Sequence, residues 1–251
     1  MLNIFISGAS GKMGKALVRI LSDSTECKVA GGTASKKNKS VGLDLGKVAG
    51  INPLGVYLVS NFSTLNDANV IIDFSSEHWA MKALEAASNK DIPILLGTTG
   101  FNDKQLKEVK RIAKSIPVLL APNTSLGVNL IKKIIISLGL ELQNYQIEIE
   151  EIHHKDKLDS PSGTAKDLAT TINFALDQTR VKYEDIKSKR VGDITGEHKI
   201  FLKDRYEEIE VIHRVTDRLV FARGAIKASC WLMEQEAGLY LMSDVYTSFS
   251  S

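Results

Sequence analysis

From residue 1 to about 123, short apolar segments alternate with stretches in which apolar residues recur at helical spacing. The predicted strands are Ile4–Ser7, Val29–Thr33, Val56–Val59, Val70–Phe74, Ile94–Leu96 and Val118–Ala121. Helices are predicted from about Met13, His78 and Asp103. Continuously apolar strands separated by helices are typical of a parallel sheet covered on both faces. We therefore predict a doubly wound α/β domain that binds its ligand at the carboxyl ends of the strands.

The pattern changes after Asn123. A helical stretch ending near Leu138 leads into residues 146–150, where isoleucine and polar side chains alternate strictly. Such alternation indicates a sheet with one solvated face. We predict a second α+β domain at residues 125–224, with an open mixed or antiparallel sheet. The first domain, residues 1–124, would be completed by about 225–251, and a final helix from about 216 to 235 would lead back to it.

Composition and charge narrow the class of protein. The 251 residues are 43% apolar and 25% charged, as in ordinary globular proteins. A net charge of +2 argues against bulk nucleic-acid binding, and the most apolar mid-chain stretch is interrupted by Lys132 and Lys133. Cys27 and Cys230 are not in a metal-binding or CxxC spacing. We expect a soluble, cytoplasmic protein with neither a nucleic-acid nor a membrane partner.

A glycine-rich turn, Gly8 to Gly14, follows the first predicted strand and precedes a helix. Its glycines would let a pyrophosphate approach the amides at the helix start, as in a Rossmann-like dinucleotide site. The spacing is GxxGxxG rather than GxGxxG, so a tight turn without a ligand is the alternative.

The segment after the second strand bears on the type of cofactor. A site for NAD places an acidic residue there, but residues 33–39 read TASKKNK and contain none. Ser35, Lys36 and the other lysines suit a 2′-phosphate, although a solvated basic loop is the alternative. We expect NADPH to be preferred and NADH to be possible.

Residues 151–165 combine groups for acid–base chemistry and for anion binding. His153 and His154 are acid–base candidates, and Lys157 adds a fixed cation. Ser162, Gly163 and Thr164 would form an anion cradle at the start of a helix. We expect that helix to begin at Thr164, with Asp167 in capping-box position. Each of these residues also has a structural explanation when it is taken alone.

A metal site is the alternative interpretation of this stretch. His153, His154, Asp156 and Asp159 have suitable ligand atoms. Adjacent histidines on a strand point to opposite faces, however, so two of them rarely bind one ion. We expect no metal.

Seven segments together resemble 4-hydroxy-tetrahydrodipicolinate reductase, also called dihydrodipicolinate reductase, a family of the diaminopimelate and lysine pathway. They run in order across nearly the whole chain, and the HHxxKxDxPSGTA pattern is highly specific. The segments are GASGKMG at 8–14, IIDFSS at 71–76, LLGTTGF at 95–101, APNTSLGVN at 121–129, EEIHHKDKLDSPSGTA at 150–165, GDITGEH at 192–198 and FARGAIKASCWL at 221–232.

The resemblance implies hydride transfer to a small cyclic dicarboxylate and a homotetramer. His153 would be the acid–base residue, and Lys157 the proton donor or carboxylate partner. The residues implied to bind substrate are His154, Gly163 and Thr164, beside Ser162 of the cradle. The residues implied to bind the cofactor are Gly8, Ala9, Ser10, Gly11, Lys12, Met13, Gly97, Thr98, Thr99, Ala121, Pro122, Asn123 and Thr124.

Two other functions are compatible with the scaffold. One is a non-catalytic NADP-binding regulatory module, which would have no use for His153, His154 and Lys157. The other is a reductase of another small carboxylate, such as an amino-acid semialdehyde or a sugar acid. A semialdehyde dehydrogenase acting by acylation needs a nucleophilic cysteine, and neither Cys27 nor Cys230 is suitably placed.

Overall fold

The computed structural model describes residues 1–155 and 157–247, so Asp156 and residues 248–251 lie outside the described structure. The chain divides into two compact units. The first comprises Met1–Ser125 and the segment that begins at Leu219, and the second comprises Leu126–Arg218. None of the described helices has the length and apolar character needed to cross a membrane.

The helices and strands follow one another along the chain as a βα alternation that gives way to a strand-rich middle. In chain order they are β1 (Leu2–Ser7), α1 (Lys12–Ser22), β2 (Cys27–Thr33), α2 (Leu45–Ala49), β3 (Leu58–Val59), β4 (Val70–Asp73), α3 (Glu77–Ser88), β5 (Ile94–Leu96), α4 (Asp103–Ile112), β6 (Pro117–Leu120), α5 (Leu126–Leu138), β7 (Gln146–His153), α6 (Gly163–Ala175), β8 (Lys187–Arg190), β9 (Gly196–Lys203), β10 (Glu208–Val215), α7 (Leu219–Leu232), β11 (Gly238–Leu241) and α8 (Met242–Thr247).

The first unit contains a seven-stranded sheet in the order β11-β6-β5-β4-β1-β2-β3. All its strand pairs are parallel, which confirms the predicted Rossmann-like sheet. The strand order reverses between β1 and β4, so the carboxyl ends of these two strands border the crevice where such sheets bind ligands. The site residues that follow β1, β4 and β5 are therefore brought to one edge of the sheet.

Alternate residues of the central strands pack on opposite faces of this sheet. On β1, Ile4 and Ile6 join a core with α1 and α7, whereas Phe5 joins a core with α3 and α4. On β4, Ile72 joins the core with α1 and α7, and Ile71 joins the core with α3 and α4. Two-sided burial explains why these strands are apolar throughout.

The second unit contains a four-stranded sheet in the order β10-β9-β7-β8. Strand β7 is antiparallel to β9 and parallel to β8, so the sheet is mixed, as predicted. One face packs against α5 and α6 around a core that includes Ile149, Leu168 and Ile200. Strand β7 is buried at alternate positions, and its last two buried residues are Glu151 and His153.

The start of α6 differs from the sequence prediction. Ser162 is the N-cap, and its hydroxyl accepts a hydrogen bond from the Ala165 N–H, so a capping box with Asp167 is wrong. Asp167 instead lies 2.8 Å from Lys132 Nζ of α5. The prediction missed β8, which reads KSKR and has no apolar residue, and β11, which reads GLYL and begins at a glycine.

Candidate functional site

The turn after β1 is shaped by two glycines that cannot carry a side chain. Gly8 has a φ of 82°, and a Cβ there would collide with the Phe74 carbonyl. A Cβ on Gly14 would collide with the backbone of Gly8 and Ala9. Gly11 is exposed and is the N-cap of α1, with no side chain capping the helix. The amides at this helix start are thus suited to an anionic ligand.

The loop after β2 lies against this turn. Asn38 Nδ2 donates a hydrogen bond to Ser10 Oγ at 3.0 Å, which joins the loop to the glycine turn. Ser35, Lys36 and Lys37 are exposed. A phosphate held near Ser10 would therefore have free cationic side chains on the adjoining loop.

A buried carboxylate organises the ends of the three central strands. Asp73 at the end of β4 is fully buried and accepts hydrogen bonds from Ser7 Oγ at 2.6 Å, Ser75 Oγ at 2.5 Å and Thr98 Oγ1 at 2.5 Å. The Ser75 N–H in turn donates to Thr98 Oγ1. Burial raises the pKa of Asp73, although the three hydroxyls act in the opposite direction. Thr98 is therefore fixed from two sides.

The segment after β6 is held by α7. The Thr124 hydroxyl donates to the Phe221 carbonyl at 2.7 Å, and a Cβ on Gly224 would collide with the Thr124 carbonyl. Pro122 is exposed and Asn123 is half-buried. Close packing of α7 thus sets the backbone of this segment, while part of it remains open to a ligand.

The polar cluster of the second unit is centred on Glu151 of β7, which is fully buried. Arg190 Nη2 lies 2.9 Å from Glu151 Oε1, and the Ser162 N–H donates to the same oxygen at 3.0 Å. Burial alone would raise the pKa of Glu151, but the hydrogen bonds from Ser162 and Arg190 outweigh it and hold the pKa below its ordinary value. Glu151 is thus an ionised carboxylate inside the sheet layer.

Two histidines face the other oxygen of Glu151. His153 Nδ1 lies 3.4 Å and His198 Nε2 lies 3.7 Å from Glu151 Oε2, and the two rings meet edge to face. Burial lowers the pKa of both histidines, and that of His198 falls to about 3. For His153, Glu151 opposes the effect of burial, while Lys157 and Arg190 reinforce it. Both rings are neutral at neutral pH.

The loop after β7 carries the remaining site residues predicted from the sequence. Lys157 Nζ lies 2.7 Å from Asp159 Oδ1, and the Lys157 side chain is largely buried. The Ser162 N–H and hydroxyl are engaged with Glu151, Ala165 and His198. Gly163 is exposed at the first turn of α6, and no acidic residue occupies that turn. The Gly163 N–H acts on the Asp159 carboxylate and helps to lower the pKa of Asp159. The helix start therefore already faces a carboxylate, in the position that a ligand anion would take.

A metal site in this region would share His153 with the set that the sequence suggested, but would take its other ligands elsewhere. Glu151, His153 and His198 have ligand atoms within 4.8 Å of one another, whereas Asp156 lies outside the described residues. Arg190 already binds Glu151, and the Ser162 hydroxyl lies 3.2 Å from His198 Nε2. Two of the three candidate ligands thus have other partners already, whereas Glu151 Oε2 and His153 Nδ1 have no hydrogen-bond partner in the described structure.

Several of these residues were not predicted from the sequence: Ser7, Asn38, Asp73, Ser75, Glu151, Arg190 and His198. For Glu151 a signal was present. The alternation that buries Ile149 also buries positions 151 and 153, so a glutamate at 151 is a charged residue at a core position. His198 ends the GDITGEH segment that contributes to the family resemblance, but no role was assigned to it; strand pairing places it opposite Glu151.

Family models match both halves of the chain. One described as "Dihydrodipicolinate reductase, N-terminus" matches residues 2–124, and one described as "Dihydrodipicolinate reductase, C-terminus" matches residues 127–246. The 4-hydroxy-tetrahydrodipicolinate reductase of Syntrophus aciditrophicus is 35% identical, with 98% of each chain covered. That of Colwellia psychrerythraea is 34% identical, with 97% of each covered.

A solved structure has the same fold. The dipicolinate-bound dihydrodipicolinate reductase of Paenisporosarcina sp. TG-14 aligns with a TM-score of 0.78, covering 96% of this chain and 97% of that one at 22% identity. An amine dehydrogenase of Mycobacterium smegmatis aligns with a TM-score of 0.62 at 10% identity. The fold is thus shared with enzymes of different names, and the family is given by the sequence matches.

Proposed function

The chain belongs to the dihydrodipicolinate reductase family, and on this premise we propose that it reduces 4-hydroxy-tetrahydrodipicolinate to tetrahydrodipicolinate with a nicotinamide cofactor. One hydride and one proton are taken up, and the 4-hydroxyl leaves as water. The reaction belongs to diaminopimelate and lysine biosynthesis. Residues 1–124, completed by about 225–251, would bind the dinucleotide, and residues 125–224 would bind the substrate and carry the oligomer contacts.

The first unit has the features that a dinucleotide needs. The exposed Gly11 and the uncapped start of α1 would hold the pyrophosphate, together with Ser10 and Lys12. Thr98, fixed by Asp73, would line the nicotinamide side with the neighbouring Thr99. The cofactor would supply hydride, while the protein binds and orients it. The exposed Ser35 and Lys36 support a preference for NADPH, with NADH as a weaker alternative.

The second unit has the features that a dicarboxylate needs. Gly163 and Thr164 at the start of α6, with His154, would bind the carboxylates of the substrate, and Lys157 would pair with one of them. An incoming carboxylate would then replace or share Asp159 as the partner of Lys157. His153 would donate the proton that reaches the substrate ring from its protonated form, either directly or through a water, and would return to the neutral form.

One observation supports this assignment above the others: a buried carboxylate joins His153 to the start of α6. Glu151 contacts the His153 ring with one oxygen and the Ser162 N–H with the other. An acid–base group and an anion-binding helix start are thereby held as one unit. A module that only senses a nucleotide would have no need of this arrangement.

The test is cofactor oxidation, followed by absorbance, with freshly prepared 4-hydroxy-tetrahydrodipicolinate. We expect His153→Ala to lower kcat by about 10²–10⁴-fold, the usual contribution of a general acid or base. Lys157→Ala should raise the KM for the substrate, because the substrate carboxylate loses its cationic partner. Lys155→Ala, at an exposed neighbouring position, is the matched control and should remain active. Tight NADPH binding without oxidation by the wild type would instead favour a regulatory module or another substrate.

We also propose a homotetramer in the cytoplasm. Strand β10 lies at the edge of its sheet and leaves Ile209 and Ile212, one on each face, 42% and 43% exposed. An edge strand with exposed apolar side chains supports an intersubunit contact along this edge. Sedimentation equilibrium gives the mass directly, and a monomer would contradict the assembly.

Two cysteines outside a disulfide are consistent with a reducing compartment.

A further inference from the structure

We propose that Glu151 is a positioning residue that holds the proton of neutral His153 on Nδ1 and so makes Nε2 the ring nitrogen that exchanges a proton with the substrate. The inference rests on the proposed function of His153. It adds a third residue to the acid–base machinery, in a role that no sequence motif assigns.

The geometry of the two ring nitrogens is unequal. His153 Nδ1 is buried and lies 3.4 Å from Glu151 Oε2. Neither atom has a hydrogen-bond partner in the described structure, so they face each other as an unsatisfied donor–acceptor pair. Nε2 lies beside Gly196, where a Cβ would come within 3.1 Å of it. A carboxylate only accepts hydrogen bonds, so the nitrogen that faces it is the one that carries the proton. The glycine leaves room at the other nitrogen.

Glu151 is itself held in place by the groups on its other oxygen. Arg190 Nη2 and the Ser162 N–H both donate to Oε1, and Arg190 Nη2 also donates to the Asp159 carbonyl. Register places His198 of β9 opposite Glu151. The carboxylate is therefore anchored by β8 and by α6, and its free oxygen is directed at the histidines.

Charged and titratable groups from four segments act on His153. They are Glu151 on its own strand, Lys157 and Asp159 on the following loop, Arg190 on β8 and His198 on β9. The charge of Glu151 raises the pKa of His153, whereas Lys157 and Arg190 lower it. Neutralising Glu151 therefore removes the largest contribution that raises this pKa. The pKa of His153 must then fall further below its ordinary value.

The experiment compares Glu151→Gln with Glu151→Asp and with Glu150→Gln. Gln keeps the size and the Oε1 contacts but loses the charge, whereas Asp keeps the charge. Glu150 lies on the same strand, beside Lys187 and Lys189, and is the matched control. We expect Glu151→Gln to lower kcat by about 10²-fold, as a misplaced catalytic group does. In the profile of kcat against pH, the alkaline limb of Glu151→Gln should lie at lower pH than that of the wild type, because the pKa of His153 has fallen. The KM of this variant for NADPH should stay within about twofold of wild type.

A direct readout is the ¹⁵N NMR spectrum of the protein labelled in its histidines, with His153 assigned by His153→Gln. The proposal expects the Nδ1–H tautomer in the wild type and in Glu150→Gln, and a change of tautomer in Glu151→Gln. An Nε2–H tautomer in the wild type would overturn it, as would a Glu151→Gln variant whose kcat profile matches that of the wild type.

These arms separate the two proposals. If the wild type fails to reduce 4-hydroxy-tetrahydrodipicolinate, the proposed function is wrong, yet the tautomer of His153 still decides the role of Glu151. If the wild type is active and Glu151→Asp restores the alkaline limb that Glu151→Gln displaces, the charge rather than the shape of the residue is responsible.

Discussion

Each unit of this protein has a fully buried carboxylate in its candidate site, Asp73 in the first and Glu151 in the second, and the two are stabilised differently. Asp73 in the first unit receives hydrogen bonds from the hydroxyls of Ser7, Ser75 and Thr98, all neutral donors. Glu151 in the second unit is paired with the guanidinium of Arg190. Burial therefore determines the direction of the pKa shift at Asp73, which is upward, whereas the donors determine it at Glu151, which is downward.

The difference matches what each carboxylate does. Hydroxyls hold Asp73 at the meeting point of β1, β4 and β5, so it fixes the loops around the expected cofactor without adding a strong ion pair. Glu151 must remain charged to act on His153, and a nearby cation keeps it so. A buried carboxylate is thus stabilised either by several neutral hydroxyl donors, as at Asp73, or by one cationic partner, as at Glu151. The two arrangements should respond differently to mutation and to pH.

The largest effect is expected when the counter-ion is removed. Arg190→Met leaves Glu151 buried and uncompensated, which should lower the free energy of unfolding by about 3 kcal/mol. Lys189→Met on the same strand, whose side chain is 58% exposed, should change it by less than about 1 kcal/mol. Urea titration measures both variants. Equal midpoints would mean that Arg190 is not needed to keep Glu151 in the sheet.

A smaller effect is expected in the pH dependence of the free energy of unfolding, to which Glu151 and Asp73 contribute with opposite signs. The pKa of Glu151 lies below its ordinary value of 4.5, so its contribution to stability is present above that value and is lost as pH falls through the lowered pKa. The pKa of Asp73 lies above its ordinary value of 3.8, so its ionisation costs stability as pH rises through that value toward the raised pKa. For each unit of pKa displacement the change amounts to about 1.4 kcal/mol.

Two variants measure these slopes. The difference in urea midpoint between wild type and Glu151→Gln should grow in favour of wild type as pH rises from the acid side. The difference in urea midpoint between wild type and Asp73→Asn should change in the opposite direction, so that wild type loses stability relative to the variant as pH rises. Glu150→Gln and Asp67→Asn, at less buried positions, serve as controls. Slopes of the same sign would refute the contrast between the two sites.

The smallest effect concerns the exposed basic loop. Lys36→Ala should weaken NADPH binding by about fivefold, the size expected of an exposed ion pair, and should leave NADH binding nearly unchanged. Lys28→Ala, an exposed lysine on β2, is the control. Fluorescence titration with NADPH and with NADH gives the dissociation constant of each variant for each cofactor. Equal weakening for NADPH and NADH would remove the support for a 2′-phosphate contact at Lys36.

Much of the fold could be predicted because it is encoded in neighbouring residues. The apolar runs of β1, β4 and β5 indicated a sheet buried on both faces, and the alternation at 146–150 indicated a sheet with one wet face. The ends of α7 were missed by about three residues at each side, since helix ends depend on packing as well as on periodicity.

The sequence by itself determined the two-part architecture, the glycine turn and the histidine-containing loop, because periodicity and motif spacing are properties of consecutive residues. Only the tertiary structure decided that Asp73 binds Thr98, that Arg190 and Ser162 meet at Glu151, and that His198 lies opposite. These contacts join residues that are 11 to 47 positions apart, and strand register alone brings Glu151 and His198 together. Register depends on the packing of whole strands, which no short stretch of the chain specifies.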